Sequence, residues 1–459
     1  MAALAVALSL TASGAFAQTL AGALIAAYQN SPQLKSERAA LRASDEAVAS
    51  ATAGLRPSVS LTAKSTGSSI FNSSTAVLNA QSFSNSLTLA AELMLWDGGR
   101  VEFAREVARM QVVMARHGLV LSEQQVLLDA ATAFMDMHRD AEFLLLADNA
   151  QRVLTRQVEA MKDRFEVGDV RRTDVSLTEA RLAGAISTYA QRQGALEITR
   201  EFYHLATGTY PGKLSAPPAL PDVPGSLEAA KSLAKSNHPS VKSAQAGVEL
   251  ARFNLLRAQA AMKPRVTVSA SLGISSGNSV TSSSISSRSS GSVGLTGVVP
   301  IYQGGQLTSA ERQARANLEK AQFDVQRAAQ VIENNVTRAW MQMQIAAASI
   351  VARHKEVRAS RVALRGMQEE AKLGARTMLD VQDAEQDLVQ AEANLAASRR
   401  DQQVAVYSLL SAMGLLTVQH LKLGIATYDP TINYKKVKKA PAKTMREIQL
   451  EKIFKRAGR

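Results

Sequence analysis

Apolar and polar residues tend to alternate in four short stretches of the chain. Val59, Leu61 and Ala63 alternate with Ser60 and Thr62, and the same period of two recurs further along. A period of two predicts a β-strand with one apolar and one polar face. We expect strands at 58–66, 84–97, 265–274 and 291–302. Membrane strands and the strands of soluble sandwiches share this pattern, so the pattern alone leaves both open.

Long stretches rich in alanine, glutamine, glutamate and arginine fill most of the remaining chain. These residues favour helices, and the small alanine side chain lets helices pack closely. We expect helices at 32–56, 100–166, 169–207, 239–263, 306–372 and 376–414. At about 1.5 Å per residue, the helix 100–166 is about 100 Å long, and the helices 32–56 and 169–207 together are about 95 Å long. Two shorter helices placed end to end therefore match one long helix, which predicts a rod and not a globule.

The order helix, strand, loop, strand, long helix, tight turn and helix occurs twice. Matching segments of the two copies lie 206 or 207 residues apart. They are NSP at 30–32 with NHP at 237–239, RPSVS at 56–60 with KPRVT at 263–267, WDGGR at 96–100 with YQGGQ at 302–306, and LATG at 205–208 with SAMG at 411–414. The chain is therefore internally duplicated, with repeats at 18–224 and 225–423. The pairs Gly98, Gly99 and Gly304, Gly305 mark the strand-to-helix junction of each repeat.

A serine-rich stretch separates the two strands of the second repeat. Eleven of the eighteen residues from Ser275 to Ser292 are serine. Such a segment cannot bury a core, so we expect an exposed and mobile loop. A flexible interdomain linker is the alternative. A loop that joins two strands outside the cell fits better, because strands flank a polar segment directly in both repeats.

The N-terminal residues indicate export. Ala3 to Leu10 is a short apolar run, and Ala15-Phe16-Ala17 has the A-x-A pattern of a cleavage site. We expect a signal peptide at 1–17, although a basic segment after Met1 is missing; a buried N-terminal helix is the alternative. No later apolar run reaches about 18 residues, so the sequence predicts no membrane-spanning helix. The exported chain is then periplasmic, secreted, or inserted as strands.

The net charge of +13 is concentrated at the C-terminus. Tyr434 to Arg459 contains ten Lys or Arg and two Glu, which leaves 43 basic and 38 acidic residues elsewhere, a net charge of +5. A nearly balanced body does not indicate nucleic-acid binding. We expect residues 424–459 to form a basic, disordered periplasmic tail, with weak attraction to anionic partners as the alternative.

The residue types that carry catalysis are missing or scattered. The chain has no cysteine, which excludes disulfides, thiolate metal sites and a lipid-anchoring cysteine. Its six histidines show no metal-ligand spacing, and no phosphate-binding loop or G-x-S-x-G sequence occurs. The sequence therefore predicts no enzyme activity, no cofactor and no metal.

Two turns between long helices carry clustered charges. Arg164 to Asp174 and Glu370 to Asp383 share one layout, in which Gly168 matches Gly374 and Asp174 matches Asp380. Asp380 and Asp383 are three residues apart and therefore share one face of a helix. From the pattern alone, ordinary solvated helix hairpins are favoured over a functional site.

The number of strands points to an assembly. Four strands per chain leave two unpaired edges, which cannot face lipid because their backbone groups would stay unsatisfied. About eight strands make the smallest useful closed barrel. Closure therefore requires several chains, and three chains supply twelve strands around a lumen that the polar faces would line with water.

The chain resembles the TolC-like outer-membrane efflux and type I secretion duct family over essentially its whole mature length. The resemblance is carried by NSPQLKSERAAL with LRPSVSL, by LWDGGR, by RFEVGDVRRTDVSLTEARL and by LGARTMLDVQDAE, together with the duplication. It implies a homotrimer in the outer membrane of a Gram-negative bacterium. Its fold would be an α+β membrane protein with a twelve-strand β-barrel, four strands per chain, continued by a periplasmic α-helical coiled-coil barrel. The partners implied are a periplasmic adaptor, an inner-membrane ABC or proton-driven transporter and outer-membrane lipid.

The resemblance also implies roles for the turns, which would close the inner end of the duct. Asp380 and Asp383 match acidic constriction rings, which should attract cations and raise some carboxyl pKa values. Arg376 matches a latch arginine whose partners on the neighbouring turn are Thr173 and Asp174. A tyrosine that adds a second link in well-studied members of the family is Ala371 here, which implies a latch that is either weaker or differently connected. The adaptor-docking tips would be Val167, Gly168, Leu373 and Gly374.

A hypothesis of a different class is a soluble periplasmic coiled-coil adaptor or scaffold. The two strand pairs separate the hypotheses, because an adaptor has no reason to duplicate amphipathic strands around polar loops. The main prediction is therefore a gated exit duct for efflux or type I secretion.

Overall fold

The computed structural model describes residues 18–72, 77–279 and 282–438, together with positions 449 and 452. The predicted signal peptide and most of the basic tail lie outside these residues. The chain divides into two compact units. One unit comprises the chain up to Glu37, Gly118–Val241 and Ala328–Tyr428, and the other comprises Arg38–His117, Lys242–Arg327 and the chain from Asp429 onward.

Helices make up most of the described chain. In chain order they are α1 (Leu20–Asn30), α2 (Pro32–Ala53), α3 (Arg100–Glu166), α4 (Arg172–Thr207), α5 (Leu227–Asn237), α6 (Pro239–Ala260), α7 (Gln306–Lys372), α8 (Met378–Ala412) and α9 (Thr431–Val437). The two long helices, α3 and α7, have 67 residues each. Among the described residues, no helix is long and apolar enough to cross a bilayer.

Several helix boundaries differ from those expected. The helices expected at 32–56 and 239–263 end earlier, at Ala53 and Ala260, because the prolines at 57 and 264 disfavour helical backbone at the residue before them. The helices expected at 169–207 and 376–414 begin later, at Arg172 and Met378, and the second ends at Ala412.

Two short helices were not expected from the sequence. α1 precedes α2 and α5 precedes α6, so each repeat opens with a helix pair. Both helices begin with a hydroxyl cap: Thr19 Oγ1 accepts from the amide of Gly22, and Ser226 Oγ accepts from that of Ala229. Eleven residues give too few turns for a distinct periodic pattern.

The first unit has a helical core. α3, α4 and α8 contribute fully buried side chains, among them Phe134, Tyr203, Leu409 and Leu410. α1 packs against α4 and buries Leu20 and Leu24. Burying such side chains stabilises the fold by about 1.5–3 kcal/mol each.

The second unit contains a four-stranded antiparallel sheet. Its strands are β1 (Ser58–Asn72), β2 (Val77–Trp96), β3 (Arg265–Ser279) and β4 (Ser282–Val298), in the order β1-β2-β3-β4. Each repeat supplies one hairpin, and the β2–β3 pairing joins the two hairpins. β1 and β4 are therefore edge strands of the described sheet, each with one side unpaired.

The register sorts the side chains of the sheet onto two faces. Leu61 pairs with Leu89, which pairs with Leu272, so these leucines share one face. On the other face Thr62 pairs with Thr88. Leu61 and Leu272 are 65% and 64% exposed, so the part of the chain that the structure describes leaves the apolar face uncovered. The apolar positions of the alternation expected from the sequence therefore form one continuous apolar surface on the sheet.

The expectation of a mobile serine-rich loop is wrong. β3 continues to Ser279 and β4 begins at Ser282, so most of 275–292 is strand. The ladder pairs Ser275 with Arg288 and Ser276 with Ser287. The strands β1 and β2 likewise extend beyond the expected ends at 66 and 84. Any residue except proline can make the backbone hydrogen bonds of an antiparallel ladder, so a serine-rich composition does not exclude a strand.

The tail is folded at its start. Residues 424–438, expected to be disordered, include α9, in which Val437 is buried. The side-chain Nδ2 of Asn433 donates to Asp45 Oδ2 at 3.0 Å, and the Arg116 guanidinium lies 5.1 Å from the centroid of the Tyr434 ring. These contacts hold the segment to α2 and α3 within the second unit.

Glycines turn the chain from strand to helix at both junctions. Gly98, Gly99, Gly304 and Gly305 all have positive φ. At the first junction, Asp97 caps α3 by accepting from the amides of Gly99 (3.0 Å) and Val101 (2.6 Å). A Cβ at Gly98 would also lie 2.6 Å from Lys263 Cβ, whereas a Cβ at Gly304 meets no atom within 4 Å.

Gly98→Ala is therefore expected to destabilise the protein more than Gly304→Ala. Both variants carry the cost of a left-handed backbone, about 1–2 kcal/mol, and only Gly98→Ala must also displace Lys263. The measurement is the thermal unfolding midpoint of each purified variant. Equal midpoints would contradict a close approach at Gly98.

Candidate functional site: the two helical turns

The two turns of the first unit have the same backbone. The amide of Gly168 donates to Phe165 O and that of Asp169 to Arg164 O. The equivalent bonds run from Gly374 to Ala371 O and from Ala375 to Glu370 O. Gly168 and Gly374 have φ of 80° and 77°, the left-handed conformation that ends helices and that glycine adopts without strain.

An ion pair bridges each turn. The arginine precedes the turn glycine in the first repeat and follows it in the second. In the first turn the Arg164 guanidinium lies 2.6 Å from Asp169 Oδ2. In the second turn the Arg376 guanidinium lies 2.9 Å from Glu370 Oε2. The hydrogen bond from Arg376 to Glu370 is the main cause that raises the pKa of Arg376. Arg376 is thus engaged within its own turn.

Asp174 and Asp380 are capping residues. Asp174 Oδ2 accepts from the Arg171 amide at 3.2 Å. Asp380 Oδ2 accepts from the amide and the hydroxyl of Thr377 at 2.9 and 2.8 Å, and Thr377 Oγ1 accepts from the Asp380 amide at 3.3 Å. This reciprocal capping box satisfies donors at the start of α8.

The cap lowers the pKa of Asp380. The hydrogen bond from the Thr377 amide is the largest cause, and the Thr377 hydroxyl adds to it. Because the folded pKa lies below the unfolded value, the cap stabilises α8 at neutral pH, and this stabilisation is lost as the pH falls through the folded pKa. The expected increase in carboxyl pKa values is therefore not found for Asp380 within one chain.

Asp383 has a partner on another helix. Its Oδ1 accepts from the Arg181 guanidinium of α4 at 2.7 Å. The aspartate side chain is 58% exposed, whereas its neighbours Gln382 and Ala384 are buried. Asp383 therefore lies on the solvent-exposed face of α8 in the single chain, and the Arg181 cation from the other hairpin offsets part of its charge.

Beneath this ion pair, a buried polar cluster joins three helices. The Gln382 side chain of α8 is 5% exposed and donates to Gln157 of α3 and Thr178 of α4, both at 3.4 Å. Gln157 in turn donates to Glu385 at 2.9 Å. Buried polar groups that satisfy one another fix the relative rotation of the helices that carry them. The cluster thereby links α3, α4 and α8 at the residue next to Asp383.

Within the single chain, Arg376 and Asp174 of the expected latch each contact a residue of their own turn. In the single chain Arg376 contacts Glu370, Asp174 contacts the Arg171 amide and Thr173 is exposed. The expected contact between Arg376 and the neighbouring turn therefore stays a prediction.

The tips of both turns present exposed apolar side chains. Val167 is 80% exposed and Leu373 is 85% exposed, each next to its turn glycine. A single exposed apolar side chain does not by itself mark a contact surface, so the adaptor-docking role of the tips stays a prediction.

Sequence reasoning missed Arg181, Gln157, Thr178 and Gln382. Gln382 offered one signal, because a glutamine between buried Val381 and Ala384 on α8 needs a polar partner inside the bundle. Among the described residues, no group of three or more histidine, aspartate or glutamate side chains is placed to hold a metal ion.

Comparison with known proteins identifies a family for the chain. The family described as "Outer membrane efflux protein" matches residues 24–209 and 230–415, one match per repeat. The chain is 32% identical to the outer membrane efflux protein BepC of Brucella suis over 431 residues, 94% of this chain and 92% of that protein. It is 26% identical to the outer membrane protein TolC of Vibrio cholerae, over 90% of this chain and 94% of that protein.

A solved structure has the same fold. The Campylobacter jejuni CmeC outer membrane channel superposes with a TM-score of 0.72, at 15% identity, over 92% of this chain and 89% of that one. At this identity the likeness concerns the fold alone. The family match covers both repeats, and with the extended identity to BepC it establishes that the chain belongs to the outer membrane efflux protein family.

Proposed function

We propose that three copies of this chain form the exit duct of a tripartite efflux or type I secretion system, closed at its periplasmic end by the two turns. As a member of the family, the chain is an outer-membrane channel protein of a Gram-negative bacterium. The family is one of transport channels, and we propose that this member likewise has no catalytic activity. The relatives give the adaptor hypothesis no support.

The exposed four-stranded sheet is the feature that best supports the proposal. Its apolar face is uncovered and both edge strands lack a partner in the described chain. Unpaired edges are not tolerated in lipid. Pairing β4 of one copy with β1 of the next closes the sheet, and three copies give twelve strands. The apolar face then contacts lipid and the polar face lines a lumen.

The turns supply a gate in this proposal. Asp380 and Asp383 of three copies would form the acidic constriction, and Arg376 would reach Thr173 and Asp174 of a neighbouring copy. Glu370 competes for Arg376, since it holds the guanidinium within one turn at 2.9 Å. In the closed state Arg376 would contact the neighbouring copy, and in the open state it would contact Glu370. Arg376 would thus keep one ion pair in each state.

The exposed tips would dock the periplasmic adaptor. Val167 and Leu373 occupy equivalent places in the two repeats, so a trimer offers six similar apolar points. An adaptor with a repeated apolar contact surface would match them. The partner on the inner-membrane side would be an ABC or proton-driven transporter.

The proposal is tested with the purified full-length chain. We expect a trimer that changes its electrophoretic mobility on heating, is recovered in outer-membrane fractions, and conducts ions in planar lipid bilayers. A protein found only in the soluble periplasmic fraction, or one that never conducts, would overturn the proposal.

A further inference from the structure

Charged side chains are rare in the sheet, and two of them share one cross-strand row. The four strands carry the cations Lys64, Arg265 and Arg288 and the single acid Glu92. The register pairs Lys64 with Ser86, Ser86 with Ser275 and Ser275 with Arg288. One row therefore runs from a lysine on one edge strand to an arginine on the other.

This row lies on the polar face. Ala63 and Leu87, the neighbours of Lys64 and Ser86, pair with each other on the apolar face, so Lys64 and Arg288 point to the opposite side. Both cations are exposed. The next polar row contains Thr62, Thr88 and Ser290. The cations are thus set among hydroxyl groups, which can donate hydrogen bonds to an anion.

Within the four described strands, no carboxylate lies in or next to the row. Glu92 pairs with Ser58, six residues along β1 from Lys64, which is about 20 Å along the strand. Arg265 pairs with Val298, ten residues along β4 from Arg288. The row is therefore a separate cationic feature of the sheet.

Strand geometry fixes how the row would lie in a closed barrel. β1 and β4 are separated by three strand spacings, so Lys64 and Arg288 are about 14 Å apart across the sheet. In a barrel whose strands tilt by about 40°, this separation corresponds to about 9 Å of height. Three copies would place six cations in one band of the lumen, whatever the register between copies.

We propose that Lys64 and Arg288 form a cationic belt in the barrel lumen that binds multivalent anions. The inference rests on the proposed trimeric duct. Flexible ammonium and guanidinium groups surrounded by hydroxyl donors suit ligands with several phosphate groups. The belt gives the duct a second charge filter, opposite in sign to the aspartates of the helical turns.

The test uses the full-length channel in planar bilayers with inorganic tripolyphosphate added on the side of the hairpin loops. We expect tripolyphosphate to block the wild-type current. The double variant Lys64→Gln/Arg288→Gln should need about tenfold or more tripolyphosphate for the same block. The charge-preserving variant Lys64→Arg/Arg288→Lys should be blocked like the wild type.

Arg265→Gln is the matched control, because it removes a cation from the same sheet outside the belt. Unchanged block in the double neutral variant, or equal loss of block in Arg265→Gln, overturns the belt. A wild-type channel that conducts and is blocked by cations but not by tripolyphosphate overturns the belt alone. A wild-type protein that forms no channel overturns the proposed duct and the belt with it. Heat-modifiable mobility checks that each variant still assembles.

Discussion

Arg376→Ser is expected to raise the single-channel conductance several-fold. In the proposed duct the Arg376 guanidinium links its turn to Thr173 and Asp174 of the next copy, and three such links narrow the periplasmic end. Serine is too short to reach the neighbouring turn and carries no charge. The resemblance described above implies that Ala371 replaces a tyrosine supplying a second link, so we expect little else in the turn to keep the aperture closed. The measurement is the conductance of single channels in planar bilayers.

The other turn provides the matched control. Arg164 makes an equivalent ion pair, 2.6 Å from Asp169, but has no proposed contact with a neighbouring copy. Arg164→Ser should therefore leave the conductance unchanged. If both variants raise it equally, general loosening of the turns is the cause, and Arg376 is not a latch.

Glu370→Gln is expected to have the opposite effect and to keep the channel closed for longer. Within one chain Glu370 holds the Arg376 guanidinium at 2.9 Å, so removing its charge frees the arginine for the neighbouring copy. The channel should then open less often than the wild type. An increase in open probability would mean that the contact with Glu370 itself keeps the turn closed.

The sequence predicted the features that depend on local patterns. Alternation in β1 and β2 is local, and the faces that it predicted are those of the register, since Leu61 pairs with Leu89. The turn glycines Gly168 and Gly374 were predicted for a similar reason, because a tight turn between helices requires a left-handed residue at that point.

Features that depend on distant partners could not be predicted. Arg181 and Asp383 are 202 residues apart, and Asn433 and Asp45 are 388 apart, so no local pattern reports either contact. The prediction of a loop at the serine-rich hairpin was wrong for another reason. Its stability lies in backbone pairing between Ser275 and Arg288 and their neighbours, whereas the prediction rested on side-chain composition.

Asp383→Asn and Arg181→Gln are expected to change cation block in opposite directions. Asp383 is 58% exposed and lies 2.7 Å from Arg181, so the arginine offsets part of its charge. Removing the carboxylate charge weakens the proposed ring. Removing the guanidinium charge strengthens it, because the aspartate is then free to attract cations. If the ion pair only held the two helices together, both variants would loosen this contact. The cation concentration needed for block would then change in the same direction in both.

Coulomb's law sets the scale of the effect. One Asp383 carboxylate about 7 Å from a divalent cation attracts it by about 1.2 kcal/mol in water, and three do so by about 3.6 kcal/mol. Salt screening reduces this sum, so Asp383→Asn should weaken block about 10- to 100-fold. The measurement is the concentration of a divalent or trivalent cation, added on the periplasmic side, that halves the current.

The control removes an acid from the other turn. Asp169 is paired with Arg164 as Asp383 is with Arg181, but it has no place in the proposed ring. Asp169→Asn should therefore keep wild-type block. Block that persists unchanged in Asp383→Asn would locate the constriction elsewhere. Tighter block in Arg181→Gln, together with weaker block in Asp383→Asn, requires that the free charge of Asp383 faces the ion path.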